Sequence, residues 1–227
     1  MILQIEKYTS LFNIEGAFED DIRDAINHGC FVGNLAYRLA HVMHYDEEFC
    51  NLVADAGMLH DIGKLRLEDG LYSKSEDMLK MEEMKYIRMH PTLGYELLCE
   101  HRIGNNELRQ AVYHHHENYD GSGYPDNIKG EEIPLGARII RICDVYSALV
   151  SVRPYREAYD KNTAMELMID EVKNFDMRLF LGFMELTHEE SFYEIDQLAA
   201  EFNRQGGQGQ SDTGREVQIL KLRTRYI

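Results

Sequence analysis

The sequence predicts an all-α protein whose helices pack into a bundle. In several segments the apolar residues recur at intervals of three to five, the spacing that places them on one face of a helix. Residues that favour helix starts and helix ends bound these segments. No convincing strand pattern and no internal repeat precedes the C-terminal segment. A helical domain with one apolar core is therefore expected.

The predicted helices follow one another along most of the chain. The first spans about residues 18–43, where apolar residues recur at helical spacing. Asp46 is a good N-cap for the second helix, which is expected to end near Gly63. Residues 120–134 are rich in Gly, Asn and Pro, which predicts a loop. Further helices are predicted at residues 76–89, 91–98, 106–116, 134–149, 162–174 and 177–186.

A length of 227 residues allows one sizeable domain with appendages. The predicted division is an N-terminal extension at 1–17, a single domain at 18–204, and a linker with a tail at 205–227. Gln205–Gly214 is rich in Gly, Gln and Ser, a composition typical of a flexible linker. The segment 215–227 mixes apolar and basic residues, so either a short strand or a mobile tail is expected there.

The net charge of −16 argues against sequence-independent binding to DNA or RNA polymers, which requires a basic surface. An acidic protein still binds a small phosphate ligand if bound cations reverse the local field. No apolar run is long enough for a membrane span and no secretory pattern opens the chain, so a cytoplasmic location is expected. The cysteines are far apart and predict neither disulfides nor a thiolate zinc site: Cys30, Cys50, Cys99 and Cys143.

Histidines and aspartates are grouped at the ends of the predicted helices. His60 and Asp61 are adjacent near one helix end, and His115 and His116 are adjacent near another. Imidazole and carboxylate groups together suit divalent ions such as iron, manganese or zinc. Helices in a bundle can direct such side chains towards one central site. Three further residues lie on or beside other predicted helices and complete the candidate set: His28, His90 and Asp144.

A series of motifs extends this grouping across most of the chain. The segments HDIGK (60–64), HP (90–91) and HHENYDGSGYP (115–125) follow in order, and AR (137–138), Asp144 and RPYR (153–156) come after them. Taken together, this series resembles the HD-GYP proteins, a branch of the HD metal-dependent phosphohydrolases. The resemblance covers roughly residues 22–170. It implies an HD-domain helical bundle, with a central metal cluster and the Gly-Tyr-Pro loop at its rim.

The resemblance implies which residues bind metal. His28, His60, Asp61 and Asp144 are expected to bind one ion, and His90, His115, His116 and the shared Asp61 a second. The run of three histidines that begins at His114 makes the choice of this pair depend on alignment to Glu117. Asp24 stands four residues before His28, where related proteins place an acidic ligand of a third ion, usually Glu. Asp24 is equally well explained as a solvated acid near the start of the first helix.

The resemblance also implies the residues that contact substrate. Lys64 is expected to contact the scissile phosphate or to assist the proton balance, although a lysine at a helix end also stabilises the helix dipole. Arg153 and Arg156 resemble a phosphate-binding pair, and alone they are equally explained as surface cations. In the loop, Tyr124 can offer its hydroxyl or its ring to the ligand. The remaining loop residues shape the turn: Asp120, Gly121, Gly123 and Pro125.

The expected activity is hydrolysis of a cyclic dinucleotide, with cyclic di-GMP favoured and pGpG or GMP as product. Two or three divalent ions are the expected cofactors, with iron or manganese favoured, and Asp61 and Lys64 are the expected catalytic residues. Two alternatives stay open: hydrolysis of another cyclic dinucleotide or phosphoester, and a signalling protein that binds nucleotide with little turnover. A homodimer or a regulatory protein partner is a further expectation.

Overall fold

The computed structural model describes residues 19–67, 81–152, 156–190 and 192–206. The predicted extension at 1–17, the tail beyond residue 206, and Arg153 lie outside these residues. All regular elements in the described part are helical, which confirms the all-α prediction. The α-helices are α1 (Glu19–Val42), α2 (Glu47–Leu59), α3 (Met81–Ile87), α4 (His90–Glu100), α5 (Asn106–Tyr113), α6 (Leu135–Val150), α7 (Lys161–Asp170), α8 (Met177–Leu186) and α9 (Phe192–Gly206). Short 3-10 helices lie at Ile62–Arg66, Gly130–Glu132 and Val172–Asn174.

The apolar core lies where α1 packs against α2 and α6. Leu35 and Leu39 of α1, and Ile139 and Ile142 of α6, are fully buried. Burying one such side chain contributes roughly 1.5–3 kcal/mol, so this core is a main source of stability. Phe183 of α8 packs against the same core. The core thus packs α1, α2 and α6 together.

The helices before the two histidine motifs end earlier than the sequence predicts. Asp46 is the N-cap of α2, as predicted, and its carboxylate accepts a hydrogen bond of 2.8 Å from Phe49 N. That helix ends at Leu59 instead of near Gly63, and a 3-10 helix follows. Helix α5 ends at Tyr113, before the three histidines. Both histidine motifs therefore lie in turns just beyond helix C-termini.

Helix α9 follows α8 and was not predicted as a helix. Phe192 and Ile195 are buried, and partly buried Ala199 packs against the same core. Their spacing of three and four residues was the available signal. The predicted linker begins at 205, within two residues of the helix end at Gly206. The predicted boundaries at 18 and 204 stay predictions.

Arg138, part of the AR motif, has a structural role. Its guanidinium lies 2.6 Å from the Asp176 carboxylate, and both side chains are largely buried. Asp176 also caps α8 by accepting hydrogen bonds from Arg178 N and Leu179 N. Removing only one partner of a buried ion pair is strongly destabilising, because the other charge is then buried without compensation. The pair therefore joins the start of α6 to the start of α8.

Among the described residues, none of the helices combines the length and the apolarity needed to span a bilayer.

Gly63 is where the 3-10 helix after α2 packs against α4. A Cβ added at Gly63 would lie 1.9 Å from His90 O and 2.4 Å from Gly94 N, both backbone atoms. Backbone atoms cannot move aside as a flexible side chain can, so only glycine fits at this position without displacing α4. This contact fixes His90 relative to Asp61.

Gly63→Ala should therefore destabilise the protein. We expect the free energy of unfolding, measured by denaturant titration, to fall by about 3 kcal/mol, the upper end for an overpacked contact. Gly94→Ala is the matched comparison, because its added Cβ would lie 3.3 Å from Gly63 N and needs only a small adjustment. Equal stability of Gly63→Ala and the wild type would contradict this reading of the contact.

Candidate metal centre

Seven predicted residues converge within the bundle. They form two groups of possible metal ligands, and within each group the ligand atoms lie within 4.8 Å of one another. The groups draw on α1, α4 and α6 and on the turns after α2 and α5. Residues more than a hundred positions apart in sequence are thus brought together. One group is Asp61, His90, His115 and His116, and the other is His28, His60 and Asp144.

Asp61 lies between the two groups and presents one carboxylate oxygen to each. Its Oδ1 lies 3.2 Å from His90 Nε2. Its Oδ2 lies 3.3 Å from His60 Nε2 and 3.8 Å from His28 Nε2. A carboxylate with this placement can contact two cations at once. Asp144 belongs to the second group, with Oδ1 3.0 Å from His28 Nε2.

Backbone carbonyls fix the orientation of three imidazoles. Nδ1 of His60 bonds Gly57 O at 2.6 Å, Nδ1 of His90 bonds Ile87 O at 2.8 Å, and Nδ1 of His115 bonds Val112 O at 2.6 Å. Each carbonyl belongs to the residue three positions earlier. Since a carbonyl can only accept, each Nδ1 carries the proton and donates it. The Nε2 atom of each ring is then directed into the cluster, as in histidines that bind metals.

The cluster fits cations between its ligand atoms. His90 Nε2 and His115 Nε2 lie 3.2 Å apart, and in neutral rings with protonated Nδ1 both carry lone pairs that repel each other. Nε2 of fully buried His60 has no hydrogen-bond partner among the described residues, although two carboxylates lie nearby. A divalent ion among these atoms would satisfy all of them. The donor set, imidazole nitrogen and carboxylate oxygen, suits such ions.

The pKa values reflect burial and the mutual fields of these groups. Burial, reinforced by neighbouring imidazoles, holds the pKa of His115 and His116 well below the ordinary value, so both rings are neutral and able to bind a cation. Burial opposes protonation of His60 as well, but the carboxylates of Asp61 and Asp144 outweigh it and raise the pKa of His60 to about 10. A proton there occupies the place that a metal ion would take.

Both aspartates stay ionised despite their burial. Burial alone would raise the pKa of Asp61, yet His60 and Lys64 hold it well below its usual range. The hydrogen bond from His28 and the field of nearby His60 do the same for the pKa of Asp144. Negative charge is therefore concentrated at the centre of the cluster.

His28 is oriented by α6. Its Nε2 lies 3.0 Å from Asp144 Oδ1, and its Nδ1 lies 3.0 Å from the hydroxyl of fully buried Ser147. Asp144 and Ser147 are three residues apart and share one face of the helix. A single face of α6 thus supplies one candidate ligand, Asp144, and the residue that orients a second, His28. Sequence reasoning missed Ser147, for which the spacing from Asp144 was the signal.

Lys64 contacts the shared carboxylate. Its Nζ lies 2.6 Å from Asp61 Oδ2, and about a third of its side chain is exposed. The ammonium group therefore reaches the cluster from the solvent side. It is placed to meet an anionic ligand that approaches Asp61.

The Gly-Tyr-Pro loop packs directly on the candidate metal ligands. A Cβ at Gly123 would lie 2.2 Å from Asn118 N, so the loop passes close to the turn that carries His116. Gly121 has a φ of +86°, and Asp120 accepts hydrogen bonds from the backbone and hydroxyl of Ser122. The Tyr124–Pro125 peptide bond is cis.

The Tyr124 ring stacks on His116, one of the candidate metal ligands. Its centroid lies 4.7 Å from that of His116, with 18° between the planes, and the Arg88 guanidinium lies 5.3 Å from the tyrosine centroid. Burial and the field of Asp61 raise the pKa of Tyr124, so its hydroxyl stays protonated. Sequence reasoning missed Arg88, which stands two residues before His90.

Buried side chains attach the loop to the turn after α5. Glu117 accepts hydrogen bonds from the backbone N–H groups of Asp126 and Asn127 at 2.7 and 2.9 Å. His114 Nε2 lies 3.2 Å from Asp126 Oδ2. His114 therefore faces the loop, and the pair that faces the cluster is His115 and His116.

Three predicted residues are not placed in the cluster. Asp24 lies on α1, but its side chain is outside the described part. Arg153 is also outside it. The Arg156 guanidinium donates to the carbonyls of Ala148, Leu149 and Glu157 and lies 4.5 Å from the Tyr159 ring centroid. Its terminal amino groups are thus used at the end of α6, and the phosphate-binding role stays a prediction.

Comparison with known proteins gives one family match and several relatives. The family model described as "HD domain" matches residues 15–179. The cyclic di-GMP phosphodiesterase response regulator RpfG of Xanthomonas campestris is 38% identical over 135 residues, 59% of this chain and 35% of the relative. The 3'3'-cGAMP-specific phosphodiesterase 2 of Vibrio cholerae is 30% identical over 171 residues, 74% of this chain and 33% of the relative. The chain thus spans about a third of the length of these curated relatives.

Two solved structures share the fold. Bd1817, an HDG"Y"P protein from Bdellovibrio bacteriovorus, has a TM-score of 0.61 at 20% identity and covers 73% of this chain and 53% of its own. The L. monocytogenes phosphodiesterase PgpH HD domain, in complex with cyclic di-AMP, has a TM-score of 0.50 at 17% identity and covers 84% and 94%. At these identities the likeness concerns the fold alone.

Asp61→Ala should abolish metal binding by both groups, because it removes the carboxylate that faces them. We expect elemental analysis of protein purified without chelator to find at least two divalent ions per wild-type chain and almost none in the variant. Asp46→Ser is the matched control, because it removes a carboxylate at the far end of α2 and keeps a capping oxygen. Full metal content in Asp61→Ala would contradict the assignment of Asp61 as a shared ligand.

Proposed function

Since the chain belongs to the HD domain family, we propose that it is a metal-dependent phosphodiesterase that hydrolyses a cyclic dinucleotide, with cyclic di-GMP as favoured substrate. The observation that carries the proposal is the placement of the Asp61 carboxylate between two groups of ligand atoms. Curated relatives named as cyclic di-GMP phosphodiesterases support the choice of substrate. The expected products are pGpG, GMP or both.

In this proposal two divalent ions, iron or manganese, bind at the two groups. Bound there, they would supply a water ionised near neutral pH and positive charge for the phosphoryl oxygens. The chain's own residues fix the geometry. Carbonyls hold three imidazoles with Nε2 directed inward, and Asp61 sets the spacing of the groups. Asp24 is proposed as a ligand of a third ion, on the strength of its position four residues before His28.

Lys64 is proposed as the residue that acts on the substrate phosphate. Its ammonium group lies 2.6 Å from Asp61 Oδ2 and is partly exposed. A phosphate that enters beside Asp61 can accept a hydrogen bond from this ammonium group, which offsets the growing negative charge. The same group can donate a proton to the departing oxygen. Tyr124, stacked on His116, is proposed as a contact for the nucleotide, and Arg153 and Arg156 stay proposed phosphate ligands.

A different cyclic dinucleotide is the second candidate substrate. The observation in its favour is that three curated relatives are named as 3'3'-cGAMP-specific phosphodiesterases. The metal ligands would be unchanged, since the phosphodiester is common to all of these molecules. Slow turnover by a protein that mainly binds nucleotide is the alternative from another class. A cytoplasmic location and a homodimeric or regulatory partner stay predictions.

Metal-loaded protein should convert cyclic di-GMP to a linear product. We expect chromatography to show turnover by the wild type, and a fall of more than about 100-fold in Asp61→Ala, beyond the usual effect of losing an outer-shell partner. Asp46→Ser should retain wild-type turnover. Parallel assays with 3'3'-cGAMP and cyclic di-AMP rank the substrates. Metal-replete wild type that binds cyclic di-GMP without converting it would replace the enzymatic proposal with the binding one.

Lys64→Met should lower kcat on the preferred substrate by about 100-fold, the lower end of what a proton-transferring group contributes. Methionine keeps the apolar stem and removes the charge, so metal content should change little. Lys85→Met serves as control, because Lys85 is exposed on α3. Unchanged kcat in Lys64→Met would show that the lysine has no part in the reaction.

A further inference from the structure

The described part of the site contains an arginine that the sequence analysis did not assign. Neither arginine of the predicted phosphate-binding pair is seen with its donors available. Arg153 is outside the described residues, and Arg156 donates to three backbone carbonyls. Arg141 lies on α6, three residues before Asp144 and therefore on the same face. It is partly buried. Its position beside Asp144, a proposed metal ligand, makes Arg141 a candidate contact for the substrate.

One hydrogen bond holds Arg141 and leaves its terminal amino groups available. Its Nε donates to Asn118 Oδ1 at 3.0 Å. Among the described residues its two terminal amino groups have no hydrogen-bond partner, and they are not sealed from solvent. In contrast, the guanidinium of Arg138 on the same helix is paired with Asp176. Arg141 thus presents an oriented fork of donors that no described protein group uses.

The surroundings of Arg141 belong to the metal centre and its loop. Asp144, Tyr124 and His116 all interact electrostatically with its guanidinium. Asn118, which binds Nε, lies two residues after His116 and donates to Ser122 Oγ at 3.0 Å. Ser122 is in turn held by Asp120. The Gly-Tyr-Pro loop therefore fixes the direction of the arginine fork.

We propose that Arg141 binds substrate, with its terminal amino groups donating to a phosphate of the cyclic dinucleotide. A planar guanidinium matches the geometry of two phosphate oxygens and stays charged under all working conditions. In a chain with a net charge of −16, a dianionic ligand needs such local positive charge. Asn118 is then a positioning residue, because it acts on the ligand only through Arg141. This inference rests on the proposed function.

The test compares Arg141→Gln with Arg141→Lys. We expect Arg141→Gln to raise KM and the dissociation constant for cyclic di-GMP at least about tenfold, the effect of losing a charge-assisted hydrogen bond. The value of kcat should stay within about threefold, and metal content and Tm should match the wild type. For Arg141→Lys, KM and the dissociation constant should lie between those of the wild type and those of Arg141→Gln, because lysine restores the charge without the planar pair of donors.

Two further variants distinguish a loss of substrate binding from a general effect of the substitution on the structure. Arg109→Gln removes an arginine of similar exposure, which bonds the carbonyls of Ile103 and Gly104 between α4 and α5, and should leave KM unchanged. Asn118→Ala should raise KM less than Arg141→Gln. The double variant should add little to Arg141→Gln, since both changes act on one contact.

The readouts distinguish failure of this inference from failure of the proposed function. Equilibrium titration with cyclic di-GMP measures binding whether or not turnover occurs. Wild type that binds the ligand without hydrolysis, and weaker binding by Arg141→Gln, would support Arg141 and overturn the enzymatic proposal. Unchanged KM and dissociation constant in Arg141→Gln would overturn the role of Arg141 alone. Wild type that neither binds nor hydrolyses cyclic di-GMP would overturn both.

Discussion

Two ionised carboxylates among buried imidazoles are the constraint on which the rest of the site depends. Removing a carboxylate from water is unfavourable unless positive charge compensates it. Here Asp61 and Asp144 stay ionised because His60, Lys64 and His28 lie within contact distance. The helices hold these residues at distances that suit cations bound by nitrogen and oxygen. The fold thus maintains a concentrated negative field that attracts divalent ions and limits which groups can lie nearby.

Close backbone packing turns this electrostatic arrangement into fixed geometry. Carbonyls at the ends of α2, α3 and α5 each accept from a histidine three residues later, so the local turn sets the direction of the ring. Gly63 lets the turn after Asp61 rest against the backbone of α4. The ligands are therefore oriented mainly by main-chain atoms. Such support persists through many side-chain changes elsewhere, and it is sensitive to any added atom at the glycine.

The sequence was informative about elements and motifs and less so about contacts across the fold. Periodicity predicted the helices, and Asp46 was correctly identified as a cap because capping is local. The convergence of the ligands was expected from the motif series, whereas the pairing of His114 with Asp126 required the loop to fold back. The contacts of Arg156 and Arg141 could not be predicted from the sequence either. One arginine is taken up by carbonyls and the other is left available, and nothing in their spacing along the chain distinguishes them.

The stacking of Tyr124 on His116 has a consequence for cooperativity. Under the proposed function, the His116 imidazole would bind an ion through its edge while its face supports Tyr124, so ion binding and nucleotide binding would be coupled through this ring. By thermodynamic reciprocity, any strengthening of nucleotide affinity by the ions is matched by an equal strengthening of ion affinity by the nucleotide. Under the same proposal, scarcity of the metal would lower the affinity for the nucleotide through the site itself.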